Sequence, residues 1–413
     1  MTHYMTPVRK LALIAGLALS FSAAAWLFCG TVSAAPRGDS ALASSVVALG
    51  FDPAENAPVL SVEKAGSLAT LEGLRLRVKA DPGNVHVFTD ASGQVSYRIH
   101  LEADSRQPGA EQFLRHFALS ARETSAGVSL EGNLPWRAFQ GEFRVSYEIH
   151  VPHRYNVEVR TQGGNIELQD IEGRADLFTS GGDIKAGRVD ARGAFSSSSK
   201  GSSNLVAAKL ETLGGHISVG DVTGALRATT SGGHITAGNI YGDAILHTGG
   251  GQIRVGRISG NAAMETGGGN LFLRSASNLS AETLGGLIEL GDASGDIRAH
   301  TEGGAVHIDH VDGPTSVETN GGLFLGQVDA PLNVVSSSGN VTAWLDNIPG
   351  MDSAVPSGNS EARAESQLSS KAGNIVVYLP RSMAASIDAV IEQGDGHRII
   401  ADASLPLRVN DQG

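Results

Sequence analysis

The chain has 413 residues, 53 of them glycine, with 5% aromatic and 18% charged residues and a formal charge of −12. Since 41% of the residues are apolar, the glycine indicates turns in an ordered protein rather than disorder. The acidic balance argues against nucleic acid as a partner, because phosphate demands a basic face; ordinary solubility accounts for it otherwise.

The first segment reads "VRKLALIAGLALSFSAAAWLFCGTVSA". Arg9 and Lys10 precede an apolar run over residues 11–28, and Val32-Ser33-Ala34 offers small residues for cleavage. Residues 1–34 are therefore predicted to be a signal peptide, which places the protein in the periplasm, outer envelope or cell surface. A retained membrane anchor is the alternative, since the run approaches the length of a short spanning helix. Removal of the signal takes the charge from −12 to −14 (−12 minus the two basic residues). Cys29 is the only cysteine, and Phe28 before it is too bulky for a lipidation site. The processed chain is then free of disulfides and of cysteine chemistry. Residues 35–54 read as a linker.

Residues 55–160 read as a β-rich N-terminal cap. "LRLRVKA", "NVHVFTD", "VSYRIHLEA" and "FRVSYEIHV" alternate like strands, with "DPGN" and "DASGQ" as turns. "PGAEQFLRHFALSARE" predicts one amphipathic helix, with Phe113, Leu114, Phe117 and Ala118 at helical spacing, laid over the first coil of a repeat region.

From residue 161 to 380 the chain repeats. Threonine stands at Thr161, Thr179, Thr212, Thr230, Thr248, Thr266, Thr283, Thr301 and Thr319, with Ser336 and Ser370 as weaker members. From Thr212 the steps to Ser336 are 18, 18, 18, 17, 18, 18 and 17 residues. The step from Thr179 to Thr212 is 33, room for one shortened turn around "FSSSSKGSSNLV". Apolar residues sit at fixed offsets: Ile217, Val219, Val222, Leu226 and Ala228 in one unit, Ile235, Ala237, Ile240, Ala244 and Leu246 in the next. Offsets of two mean strands, so each unit is two short strands separated by glycine turns.

One unit cannot fold alone. Its buried side chains contribute roughly 10 kcal/mol, while ordering its backbone costs about 1–2 kcal/mol per residue. Stacked on neighbours it can, which predicts an all-β fold: a parallel β-solenoid of about 18 residues per coil behind a smaller cap with one helix. About a dozen coils rising about 4.8 Å each would give a rod of about 55 Å. The threonines share parity with the inward residues and should form an internal ladder, each hydroxyl satisfying a turn amide. The insertion at 346–369 interrupts the repeat as an exposed excursion or a binding loop, and residues 381–413 read as irregular C-terminal strands.

The glycine turns invite a chemical reading, which fails on context. A phosphate loop needs a helix after the glycines, and here strands such as "GGQIRV" come next. Calcium-binding β-rolls need a repeated carboxylate, but the position after the pair holds Asn165, Asp183, His216, His234, Gln252, Asn270, Leu287 and Ala305. Histidines are the remaining metal candidates. His216 and His234 occupy one repeat position on adjacent coils, and "HIDHVD" sets His307, Asp309 and His310 near His300. Imidazoles with a carboxylate suit zinc; solvated surface histidines explain the same pattern. No cofactor and no catalytic residue is assigned.

"VSYEIHVPHRYNVEVRTQGGNIELQDIEG", the recurring "T-x-GG-x-I" units and a late "GNIVVYLP" resemble the bacterial family called the putative-adhesin domain of unknown function, over roughly residues 70–400. The resemblance implies an exported, envelope-associated β-solenoid and brings no catalytic residues. The leading expectation is a non-enzymatic rigid adhesion or scaffold module that presents a long face to envelope polysaccharide, a membrane surface or a protein. A carbohydrate-active β-helix enzyme, lyase or hydrolase, is the alternative, and envelope-stress sensing through a protein partner is a third.

Overall fold

The computed structural model describes residues 44–51, 58–134, 141–193, 206–346, 365–383, 386–392 and 398–402. The signal segment, the degenerate stretch at 196–204 and most of the insertion lie outside these residues. The described part is nearly all β, with parallel strands stacked coil upon coil.

Each coil carries two main strands. One follows the glycine pair, as in Ile184–Ala186, Ile217–Val219 and Ile235–Ala237, which pair in parallel and in register. The other leads into the threonine, as in Val206–Thr212, Ala225–Thr230 and Ala244–Thr248. Single bridges from Val222 to Ile240 and from Ile240 to Ile258 add a third, narrower side. In the coils at Ile253–Thr266 and Leu271–Thr283 both strands and the corner run together as one long strand. Inward residues fill the interior: Ile235, Ala237, Ile240, Ala244 and Leu246 are all buried, as the two-residue offsets predict.

The threonine ladder explains the strictness of the repeat. Thr161 and Thr179 through to Thr319, then Ser336 and Ser370, are directly paired rung by rung. All nine threonines are buried. Each hydroxyl works in two directions. Thr248 Oγ1 donates to the carbonyl of Gly233 one coil below at 2.7 Å and accepts the amide of Gly251 in its own turn at 3.2 Å. Thr230 and Thr266 repeat this geometry. The ladder thus ties each turn to the coil beneath it, beyond the single turn-amide bond that parity predicts.

The second glycine of each pair is required for space. A Cβ on Gly233 would lie 1.9 Å from the carbonyl oxygen of Gly215, whereas one on Gly232 would meet nothing within 4 Å. Left-handed backbone is the reason at few corners, Gly164 with φ +107° among them. Close stacking of backbone on backbone, rather than unusual dihedrals, selects glycine here.

Four expectations need correction. The 33-residue step holds no extra turn of the solenoid: Thr179 pairs directly with Thr212 and Ile184 with Ile217, so no coil lies between them. The helix is confined to Ala110–Arg115, and Ala118–Thr124 is a strand antiparallel to Gly127–Asn133. Phe113 and Leu114 are buried on that helix, which packs against the strands Pro58–Ala69 and Gln94–Asp104 rather than on a coil. Pairing to a neighbouring strand outweighs helical spacing beyond His116. Ser44–Phe51, inside the expected linker, is a strand antiparallel to Pro58–Ala69. Finally, no strand occurs among the described residues beyond Tyr378, and Ile387, Val390 and Ile391 are exposed.

The stack also begins before residue 161. Arg75–Ala80 pairs in parallel with Asn156–Thr161, and Asn84–Asp90 with Ile166–Leu168, so residues 75–90 form the first coil. Beneath it Gly127–Asn133 and Phe143–Pro152 supply a further layer from two separate segments. The antiparallel strands Gln94–Asp104 and Pro58–Ala69 continue from Phe143–Pro152 and lie outside the stack's repeat. Tyr147, Ile99 and Leu101 are fully buried in this closing layer.

Candidate ligand-binding face

The histidines divide into three environments. His216 and His234 do meet on adjacent coils, rings stacked with centroids 4.9 Å apart. Their Nδ1 atoms are occupied, accepting the backbone amides of His234 at 2.9 Å and Gln252 at 3.0 Å. This puts the ring proton on Nε2. The same corner position does the same work with other side chains: Asn165 Oδ1 accepts from Asp183, Asp183 Oδ1 from His216, and Asn270 Oδ1 from Leu287. An acceptor atom one bond beyond Cγ is what Asn, Asp and His share, and it satisfies a turn amide of the next coil. The sequence signal for this ladder is present in the column of Asn, Asp and His residues, where a search for repeated carboxylates overlooks it.

The second histidine set is not brought together. His300 lies on the threonine-side strand Ile297–Thr301, half exposed, 3.4 Å from Glu318 of the next coil. His307 lies on Val306–Val311 and bonds Asp309 at 2.9 Å. His310, past the corner of the same strand, faces Asp312 at 3.2 Å, Asp329 at 3.7 Å and Asp292 at 3.9 Å. Among the described residues, His310, Asp312 and Asp329 are the group whose ligand atoms lie close enough to share an ion. His310 Nε2 is buried, and although Asp312 is near, the contact lacks hydrogen-bond geometry. It is a close polar contact rather than a formed hydrogen bond.

Two of these residues open a larger feature that the histidine pattern does not announce. Asp312, Asp329 and Asp346 stand 17 residues apart, hence at one position of three successive coils. Gln327 Nε2 donates to Asp346 at 3.2 Å and reaches Asp329 at 3.5 Å. The same coils also carry a row of rings. His307 stacks on Phe324 with centroids 4.5 Å apart, Phe324 meets Trp344 at 4.9 Å, and Trp344 stacks on Tyr378 at 4.7 Å. Phe324 is 37% exposed, Trp344 36% and Tyr378 49%. Below them Arg254 lies over the ring of Phe272, 4.4 Å from its centroid. The 17-residue spacing of the aspartates, and of His307 from Phe324, is legible in the sequence. Trp344 is not, because it follows Ala343 at the place where a glycine, Gly326, follows Leu325 one coil earlier.

Perturbed protonation belongs to the opposite end. Burial, with the charge of Asp81, pushes the Tyr147 phenol up, and burial lowers the Lys64 ammonium, whose Nζ donates to the Phe117 carbonyl at 2.6 Å. A polar void of about 430 Å³ lies along another corner, lined by Arg154, Asn156, Glu172, Asp190 and Arg192. Its charges are mutually paired, Arg192 with Asp190 and Arg154 with Glu172. No helix among the described residues is long and apolar enough to cross a membrane.

Stacked parallel coils and a buried hydroxyl ladder define a parallel β-solenoid domain. The family model described as Toastrack DUF4097 matches residues 75–377, almost the same limits as the parallel stack from Arg75 to Tyr378. The chain belongs to this toastrack family of domains of unknown function. Among solved structures it is similar to one from Bacteroides fragilis described as a putative adhesin, at 13% identity over 77% of this chain and 97% of that one, with a TM-score of 0.24. A putative adhesin from Parabacteroides distasonis gives 10% identity over 78% and 97%, TM-score 0.21. A putative cell adhesion protein from Clostridium sporogenes gives 9% over 62% and 99%, TM-score 0.21. No curated protein matches the sequence.

Proposed function

We propose that the protein is an exported, non-enzymatic module of the cell envelope, a rigid rod that holds an adhesive face toward envelope polysaccharide, a membrane surface or a protein. The carrying observation is the exposed row of rings at Phe324, Trp344 and Tyr378. Contiguous exposed apolar surface on a soluble protein marks an interaction site more often than chance. Here it is mounted on paired strands whose backbone is already hydrogen-bonded, so binding would require little ordering of the chain. Export rests on Arg9, Lys10 and the apolar run that comes after them.

The convergence of His310, Asp312 and Asp329 on coils that also carry the rings favours one second reading, a carbohydrate-active enzyme. Glycoside chemistry uses two carboxylates on either side of a bound sugar. A glycan array read together with turnover on the same glycans decides between the two. Binding without release of product is the expected result. Product release that disappears in Asp312→Asn or Asp329→Asn would replace adhesion with catalysis.

A further inference from the structure

At the corner after the post-glycine strand, Asp292, His310 and Gln327 pair rung by rung on three successive coils. Two residues further on stand Asp312 and Asp329, each with its backbone amide fixed to the preceding coil. Asp312 donates to the Ala293 carbonyl at 2.9 Å and Asp329 to the Val311 carbonyl at 2.8 Å. One imidazole and two carboxylates from two coils are thus mounted on backbone that is already hydrogen-bonded.

His310 Nε2 is the atom that needs a physical account. It is buried and makes no hydrogen bond, although its ring is partly exposed. Asp312 Oδ1 lies 3.2 Å away, near enough for a hydrogen bond but not in the direction of one, and Asp329 Oδ2 lies 3.7 Å away. A buried polar atom without a partner is uncommon in a folded protein and marks a water, an ion or a catalytic group. A water bridging two groups holds them about 4.5 Å apart, with bonds of about 2.8 Å on each side. The ligands of a small ion stand closer. Zinc bonds imidazole nitrogen and carboxylate oxygen at about 2.0–2.2 Å, so ligand atoms around a tetrahedral ion are about 3.4 Å from one another. The two distances from Nε2 bracket that value, and the three ligand atoms all lie within 4.8 Å of one another. Direction agrees with distance: a hydrogen bond wants the oxygen on the line of the ring nitrogen, whereas oxygens sharing an ion with it flank that line.

We infer that His310, Asp312 and Asp329 bind a zinc ion, which clamps the coil of Val306–Val311 to that of Leu323–Val328. The mixed donor set selects against magnesium and calcium, which take oxygen ligands. Two carboxylates offset the charge of a divalent ion, and three protein ligands leave a fourth position for water. On the far side of the ring, Asp292 Oδ1 lies 3.9 Å from Nδ1. A carboxylate there favours the proton on Nδ1 and leaves the Nε2 lone pair to the ion, the usual arrangement behind a ligating histidine. Asp329 also meets the Gln327 amide at 3.5 Å, and this fits ligation, because ligating carboxylates are themselves hydrogen-bonded. A zinc ion at this corner is compatible with an adhesive or a catalytic face and depends on neither.

Isothermal titration of the full chain with zinc chloride, and separately with magnesium and calcium chloride, tests the assignment. Zinc should saturate one tight site per chain, and the other two ions should bind about a hundredfold or more weakly. His310→Gln, Asp312→Asn and Asp329→Asn should each weaken zinc binding about a hundredfold or more, and Asp292→Asn about tenfold. His300→Gln and His307→Gln, outside the cluster, should leave it unchanged. Zinc should also raise the urea midpoint of the parent, since an ion held only by the folded chain stabilises it by mass action, and should not do so in Asp312→Asn. Circular dichroism without metal confirms that each variant keeps its fold. Absence of zinc binding overturns the inference. So does zinc binding that survives in both His310→Gln and Asp312→Asn, which places the ion elsewhere. Calcium or magnesium binding as tight as that of zinc and kept in His310→Gln overturns it too, leaving an acidic patch in place of a zinc site.

Discussion

The two ends of the rod are finished differently. At the N-terminal end the first coil rests on Gly127–Asn133 and Phe143–Pro152, and antiparallel strands extend that layer. Its inward side chains, such as Val85 and Val128, are exposed by 1% or less. At the other end Ile375 and Val377 occupy the inward register of Val341 and Ala343, yet they are 42% and 38% exposed. Identical strand chemistry gives full burial in one place and little in the other. The difference is whether a further layer lies above among the described residues. In a stack of short coils a residue's contribution is set by its neighbours along the axis, and sequence parity alone does not report it. The antiparallel layer also covers a parallel edge that would otherwise be a template for association.

The largest effect expected from this contrast is at the mid-rod corners. Gly233→Ala forces a methyl group against the Gly215 carbonyl, and backbone on both sides is fixed by ladder bonds. A loss of about 3 kcal/mol or more is expected. Gly232→Ala, one residue earlier, should change stability by less than about 0.5 kcal/mol, because the added methyl meets open space. Urea unfolding followed by circular dichroism measures both. Equal effects in the two variants would remove close stacking as the reason for the glycine pair.

Next in size is the same substitution made at the middle and at the open end. Ile235→Ala, at a position with no exposure, should cost about 2–4 kcal/mol through lost transfer energy and the cavity left behind. Ile375→Ala should cost about 1 kcal/mol or less, since much of its surface is already in water. Should both cost the same in urea unfolding, then Ile375 is covered in solution, and the open end is closed by something that adds a layer to the stack.

Thr248→Val isolates the ladder from its packing. The shapes are alike, but the carbonyl of Gly233 and the amide of Gly251 lose their partner in a buried setting. About 2–3 kcal/mol should be lost, the cost of leaving such groups unsatisfied. Ser370→Ala, at the last rung, removes one weaker bond to the Gly339 carbonyl at 3.3 Å and should cost about 0.5–1 kcal/mol. Differential scanning calorimetry on the pair compares the two. A Thr248→Val variant as stable as the parent would show that size, not the hydroxyl, holds threonine in the ladder.

These contrasts also mark what the amino acids announce in advance. The repeat, the inward residues and the threonine column are legible because each arises from a two-residue alternation inside a fixed period. The helix limit at His116 is not, since "ALSARET" carries both a helical face and a strand alternation, and only pairing with Gly127–Asn133 chooses between them. The 33-residue step from Thr179 reads as room for a coil because spacing counts residues without saying which strands pair across it. For the candidate face, His307, Asp309 and His310 are visible as a cluster, but alternation turns His307 and His310 to different sides of a corner. The ring row is hidden for a related reason: Trp344 and Tyr378 stand near the ends of their strands where earlier coils have glycine, so no column of like residues points to them.

The smallest effect expected separates the closing layer from the coils by pH. His100, on Gln94–Asp104, bonds Glu102 at 3.0 Å, and that bond raises the imidazole above its ordinary value; burial opposes this, and the charges of Glu102 and Glu63 add to it. A histidine whose pKa is higher folded than unfolded binds its proton more tightly in the native state. Its contribution is therefore complete below the unfolded value of about 6.5 and is lost as pH rises through the raised native value. Since the side chain is partly exposed, solvent screening keeps this term within about 1 kcal/mol. The stability of the parent, measured by urea unfolding at a series of pH values, should thus decline by that amount from mildly acid to mildly alkaline conditions. In His100→Gln this component should vanish, because glutamine keeps a donor for Glu102 but takes up no proton. A parent and variant with parallel pH profiles would show that the closing layer owes nothing to this pair and stands on its apolar burial alone.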